Sequence, residues 1–269
     1  MTTKIIDILT YAAGYNFYVY DRFVGSLNDT GFSGNIYIIY KYADGVNMQK
    51  LKDKYYNVIA LLDDVVCTTH INNHRFVVMK QYLHSETFFN SKYLFMCDFR
   101  DVLFQRNIEE YNFEEHDDII GFKEGVGYYN NQCNADWATQ LDLYLNENIY
   151  AQLQPLSVLC CGTTIGKTDV LRKYIDLMCD IIITHNINAN LDQAIHNYIL
   201  HLNKLNVNVK LMTNDDGFIY NLGCDRNYHI KENNIYYNGK LPYVVHQYDR
   251  CPTEQRQLLS NKHNFVNHL

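Results

Sequence analysis

Tyr93-Leu94-Phe95-Met96-Cys97-Asp98-Phe99-Arg100-Asp101-Val102-Leu103-Phe104-Gln105 is an apolar run that stops abruptly in two acids. Tyr93 to Cys97 shows no alternation and is too short for an isolated helix, so it fits a central strand covered on both faces. Asp98 then marks the carboxyl end of that strand. In continued extended chain Asp98 and Asp101 would stand roughly 10 Å apart on opposite faces of the sheet, at about 3.3 Å per residue. A turn starting at Asp98 instead brings residues i and i+3 within about 7 Å at Cα, and both carboxylates can then face one divalent cation. The first expectation is carboxylate-plus-metal chemistry.

Outward from this strand the first half alternates strands and helices. Ile5 to Tyr11 reads as a strand, Tyr20, Phe23, Val24 and Leu27 as a helical stripe closed near Gly31, and Asn35 to Tyr40 as the next strand. Met48 to Cys67 holds a helix and one or two strands. A helix beginning near His74, with Phe76, Met79, Lys80 and Leu83 at helical spacing, leads into Tyr93. This βαβ alternation predicts an α/β fold with a mostly parallel sheet and helices on both faces, whose ligands gather at the carboxyl ends of strands. The second half is less regular. Ile119 to Phe122 and Ser157 to Cys161 read as strands, Gly162-Thr163-Thr164-Ile165-Gly166 as the turn after the latter, and Trp137, Leu141 and Leu145 as a helix. A helix capped by Thr168 carries Leu171, Ile175, Met178 and Ile182 on one face. A further helix spans about Leu191 to Leu202, and a strand from Tyr243 to Val245 leads into His246.

With 269 residues, 47% of them hydrophobic and only three prolines, the chain reads as one large domain without a stiff linker. The formal charge of −7 argues against a nucleic-acid binder, which shows a basic footprint. An anionic ligand therefore needs local help from arginines, helix N-termini or a cation. Eight cysteines without Cys-x-x-Cys spacing suggest reduced thiols and a cytoplasmic protein. Met1 to Asp7 meets an acid before any leader-like apolar stretch, and no run approaches the roughly 20 residues of a membrane span.

Asp98-Phe99-Arg100-Asp101-Val102 after its apolar strand resembles the metal-binding signature of GT-A-type nucleotide-diphospho-sugar transferases, with Asp-x-Asp expanded to Asp-x-Arg-Asp. Thr10-Tyr11-Ala12 resembles the family's first strand and turn that hold the nucleotide base. Gly162-Thr163 with Ile165-Gly166 resembles the small-residue segment behind the sugar, and Asn190-Leu191-Asp192-Gln193 the Asp-Gln pair near the transferred sugar. Val244-Val245-His246-Gln247-Tyr248-Asp249-Arg250 resembles the late histidine segment that completes the metal site. The segments occur in the family's order across residues 10 to 250.

The resemblance implies a single GT-A, Rossmann-like catalytic domain over 1–269, with a nucleotide-binding half at about 1–105 and an acceptor and metal-completing half at about 106–269. It implies a hexosyltransferase that moves sugar from a nucleotide-diphosphate sugar, UDP-sugar favoured, to a hydroxyl of a glycan or protein. Asp98, Asp101 and His246 would hold Mn²⁺ or Mg²⁺, manganese being more tolerant of imidazole. Arg75, Arg100 and Arg250 are candidate phosphate donors, since a guanidinium binds phosphate bidentately. Asp192 and Gln193 would act on the donor sugar, with Thr10, Tyr11, Ala12, Gly162 and Thr163 lining the nucleotide-sugar site. An inverting reaction needs a base such as Asp192 or Glu124, whereas a retaining one fits Gln193 with the leaving phosphate.

Structural readings compete at each position. Asp98 can be a turn cap with Arg100 paired to Asp101, His246 a strand-end histidine bonded to backbone, and Asn190 with Gln193 a capping box. The functional alternatives are a metal-dependent phosphatase or phosphotransferase and a nucleotide-sugar or glycan binder without turnover.

Overall fold

The structure, a computed structural model, describes residues 5–85 and 88–260, with side chains to residue 256. The Met1 to Lys4 start, read above as no leader, lies outside the described residues. In chain order the first half runs β1 (Ile6–Ala12), α1 (Phe17–Asp29), β2 (Ile36–Lys41), α2 (Gly45–Lys54), β3 (Val58–Asp63), α3 (Ile71–Leu83), β4 (Tyr93–Cys97) and β5 (Val102–Phe104). The second half runs β6 (Ile119–Gly127), α4 (Gln132–Leu145), α5 (Ile149–Leu153), β7 (Ser157–Lys167), α6 (Thr168–Thr184), α7 (Asp192–His201), β8 (Val209–Met212), β9 (Ile219–Asn221), β10 (Tyr228–Lys231), β11 (Asn234–Tyr237), β12 (Val244–His246) and α8 (Thr253–Ser260).

A seven-stranded sheet in the order β3-β2-β1-β4-β7-β6-β8 organises the domain. Its pairs are parallel except those of β7, which runs antiparallel to both β4 and β6. Alternation along β1 divides the core. Ile6, Ile8 and Ala12 join the cluster containing Phe23 and Val24 of α1 and Leu51 of α2, while Leu9 joins the cluster containing Phe76 of α3, Ile175 of α6 and Ile195 of α7. All of β4 is buried, as its unbroken apolar run requires. Phe95 is 0% exposed and meets Phe104 edge-on with centroids 6.3 Å apart, a burial that contributes about 1.5–3 kcal/mol.

Two local expectations are corrected. Gly162 to Gly166 is no turn, because β7 continues unbroken through eleven residues to Lys167. These glycines answer to close packing: a Cβ on Gly166 would meet the Asp118 carbonyl and Leu171 at 3.1 Å. Thr168 begins α6 but does not cap it; its Oγ1 donates 2.8 Å to the Ser91 carbonyl, tying the helix start to the β4 edge.

A separate three-stranded sheet, β5-β12-β9, stands against the end of the main one. After the Asp98–Asp101 turn the chain enters β5, whose Val102 pairs with His246 at the end of β12. The Gln247 N–H donates 2.7 Å to the Asp101 carbonyl, so the second half of the chain is fastened onto the turn.

Candidate active site

A cleft of about 490 Å³ opens at the carboxyl ends of β1 and β4, within the size range of small-molecule sites. Tyr11, Arg75, Asp98, Arg100, Asp101, Gly162, Asp192, Gln193, His246 and Arg250 all reach it. Thr10, Ala12 and Thr163 do not: each is buried beside a cleft-lining neighbour on its strand, and successive strand residues point to opposite faces. Glu124 is also absent from the lining; it lies behind Gln193, 3.5 Å from its Nε2, and burial raises its pKa.

Asp98, Asp101 and His246 form the charged centre, their possible ligand atoms all within 4.8 Å of one another. His246 Nε2 lies 3.5 Å from Asp98 Oδ2 and 3.7 Å from Asp101 Oδ1. Exposure grades across the trio, from 31% of the Asp98 side chain to 11% of Asp101 and 1% of His246, so the cluster opens to the cleft on the side of its acids. Two further observations fit a divalent cation. Nε2 is a buried nitrogen with no hydrogen-bond partner, although it faces two carboxylates. A Cβ on Gly162 would fall 2.5 Å from Asp98 Oδ2 and 2.8 Å from the His246 ring, so only glycine leaves this wall open. Two carboxylate oxygens and one imidazole nitrogen suit Mn²⁺ or Mg²⁺.

The electrostatics of the two acids differ. Burial would push Asp98 up, but Arg75 and His246 hold it well below the usual carboxylate range. Burial raises Asp101, and neighbouring Asp98 adds to the rise while His246 opposes it. For His246, burial works against protonation and is overcome by Cys160, Asp101 and Asp98, leaving its pKa well above the ordinary histidine value. The cluster thus draws positive charge to the Nε2 position.

Arg75 joins this centre to α7. Its Nη1 donates to Asp98 Oδ1 and its Nη2 donates 2.7 Å to Asp192 Oδ2. The starts of α3 and α7 are fastened together around it, Asn72 donating 2.9 Å to Asn190 Oδ1 and Asn73 Nδ2 donating 2.8 Å to the Ala189 carbonyl. The competing Asn190–Gln193 capping box is absent, and α7 has no side-chain cap. Gln193 instead turns into the cleft wall, with Nε2 donating 2.8 Å to Asn134 Oδ1. Arg100 pairs with Asp249 at 3.0 Å and approaches Asp101 only to 4.0 Å.

Several lining residues escaped the sequence reading. Tyr15 stacks on Phe99 with centroids 6.1 Å apart, and Ile71, Asn72, Trp137, Cys160 and Cys161 line the remainder. Tyr15 gave no pattern, while Trp137 was assigned only as an apolar helical position.

The strand order, with one reversed strand between parallel neighbours and a small sheet closing over the β4 end, is the architecture of the GT-A fold. Two solved structures of LgtC carry the comparison. An active-site mutant of LgtC matches with a TM-score of 0.58 at 9% identity, covering 98% of this chain and 97% of that one. The galactosyltransferase LgtC in complex with donor and acceptor sugar analogues matches with a TM-score of 0.57 at 8% identity, with the same coverage. No family model and no curated protein matches the chain by sequence.

Proposed function

We propose that this protein is a metal-dependent glycosyltransferase, moving a sugar from a nucleotide-diphosphate sugar, UDP-sugar favoured, to a hydroxyl of a glycan or protein acceptor. The carrying observation is the convergence of Asp98, Asp101 and the partnerless His246 Nε2 on one point at the cleft floor. Asp98, Asp101 and His246 would hold Mn²⁺ or Mg²⁺, which when bound supplies Lewis-acid neutralisation of the departing diphosphate. Support for donor and acceptor comes from LgtC, crystallised with donor and acceptor sugar analogues.

The chain's own groups divide the remaining work. Residues 1–105 would hold the nucleotide, with Tyr11 and Tyr15 as rings near the base and Arg100 and Arg250 beside the phosphates. Residues 106–269 would complete the metal site and receive the acceptor. Arg75, held between Asp98 and Asp192, keeps those carboxylates apart and helps hold Asp98 ionised. Asp192 is already engaged twice, by Arg75 and by the Gln193 N–H at 2.9 Å, and Glu124 does not line the cleft. Neither is a free base facing the acceptor, which favours retention with Gln193 beside the reacting carbon. All eight cysteines are free, which supports a reducing, cytoplasmic setting, and among the described residues no helix is long and apolar enough to cross a membrane.

The test is a panel of UDP- and GDP-sugars with Mn²⁺ and mixed glycan acceptors, following nucleoside diphosphate release and glycan mass. Acceptor-dependent diphosphate release removed by chelator is the expected result. Binding without release would make the protein a nucleotide-sugar binder, and phosphate release from simple esters would make it a phosphatase.

A further inference from the structure

Asn221 ends β9 and is 1% exposed, yet it neither lines the cleft nor belongs to the proposed ligand set. The parallel pairing of β9 with β12 sets it beside His246. Its Oδ1 lies 2.9 Å from His246 Nδ1. The orientation of the amide is settled by its other end, since Nδ2 donates 3.1 Å to the Lys123 carbonyl and leaves the oxygen toward the ring. An amide oxygen only accepts, so Nδ1 must carry a hydrogen.

Other contacts agree. Cys160 Sγ is 3.3 Å from the same nitrogen, but its thiol also bonds Glu124, and sulfur is the weaker acceptor. The Asn221 backbone is held on both sides by Asn214, whose Oδ1 accepts from the Asn221 N–H at 3.0 Å and whose Nδ2 donates to its carbonyl at 3.5 Å.

We infer that Asn221 is a positioning residue that fixes His246 with its hydrogen on Nδ1 and turns the Nε2 lone pair between Asp98 and Asp101, where a divalent cation binds. This rests on the metal-site reading above. A carboxamide does this without adding a third negative charge beside the two acids, and outer hydrogen bonds of this kind govern both the orientation and the basicity of ligating imidazoles.

Mn²⁺ alone, titrated into the full chain and followed by the paramagnetic resonance of the free ion, tests the inference. Asn221→Leu, of similar volume but without an acceptor, should bind Mn²⁺ about 10–100-fold more weakly. Asn221→Asp restores the acceptor and should bind within about threefold of the unmutated protein, a rescue that a merely structural role does not predict. Unchanged affinity in Asn221→Leu, or an equal loss in Asn221→Asp, overturns the inference. The unmutated protein offers a readout independent of either variant's folding. With Mg²⁺ bound, the His246 ring ¹⁵N spectrum should show a hydrogen on Nδ1 and none on Nε2, and the reverse pattern overturns it. If the unmutated protein binds neither ion, the metal-site reading fails and takes this inference with it. If it binds and the variants or tautomer disagree, only the role of Asn221 falls.

Discussion

Strands β1 to β4 and the small β5-β12-β9 sheet reach their partners by opposite routes. In the first, β1 to β2 and β2 to β3 are each joined through one helix, β4 alone arrives from further along the chain to pair Ile6 with Tyr93, and the core closes around Ile8, Ile38 and Phe95. In the second, β5 pairs with a strand near the other end of the chain, and the Tyr248 hydroxyl donates to the Arg100 carbonyl across 148 residues of sequence. The first region supplies a rigid edge ending in Asp98. The second supplies the histidine that faces it, whose buried Nε2 has no hydrogen-bond partner. Stability and chemistry should therefore respond to different substitutions.

Phe95→Ala should show the largest effect, a loss of about 3–5 kcal/mol in urea unfolding from the cavity left between the helical layer and β4. Turnover per folded molecule should stay near that of the unmutated protein, and a selective loss of turnover would erase the contrast between frame and site. Asp101→Ala is the converse. It should lower metal-dependent transfer by about 10²–10³-fold, while the melting temperature holds or rises because a buried acid with only loose partners has been removed. Undiminished transfer would detach the turn from the chemistry. Gly162→Ala touches both regions at their seam, since its Cβ collides with Asp98 and His246. A destabilisation of about 1–3 kcal/mol is expected, together with weaker Mn²⁺ binding by calorimetry.

The smallest effect belongs to His196, fully buried in α7 beside the Tyr174 hydroxyl at 2.7 Å, where burial lowers its pKa to about 3. The unfolded chain binds this proton near pH 6.5 and the folded one does not, so stability is full above about 6.5 and falls as pH drops toward 3. The slope reaches about 1.4 kcal/mol per pH unit. Urea midpoints between pH 7 and 5 should show this slope reduced in His196→Gln, and an identical slope in that variant would mean that other groups carry it.

Legibility in the sequence follows the same division. Local periodicity announced β1, α1, β2 and β4, because burial sorts the faces of the first three and covers β4 on both sides. The Asp98–Asp101 turn was legible because an extended chain keeps the two acids apart. The β7 glycines misled, because glycine signals a turn locally, whereas here Gly162 admits Asp98 and His246, and Gly166 the Asp118 carbonyl and Leu171, approaches that no local pattern shows. Asn221 had one signal, a carboxamide inside the apolar run Phe218 to Leu222, but the partner that a buried amide requires is found only once β9 lies beside β12.

The late position of β12 has a consequence for shortened forms of the chain. All seven strands of the main sheet are complete by Met212, whereas Val244 to His246 come afterwards and belong to the other sheet. A product ending between those points would keep both acids but lose their imidazole, together with Tyr243 and Val244, which share a core cluster with Ile8 and Phe95, so the same cut would remove a ligand and loosen the frame.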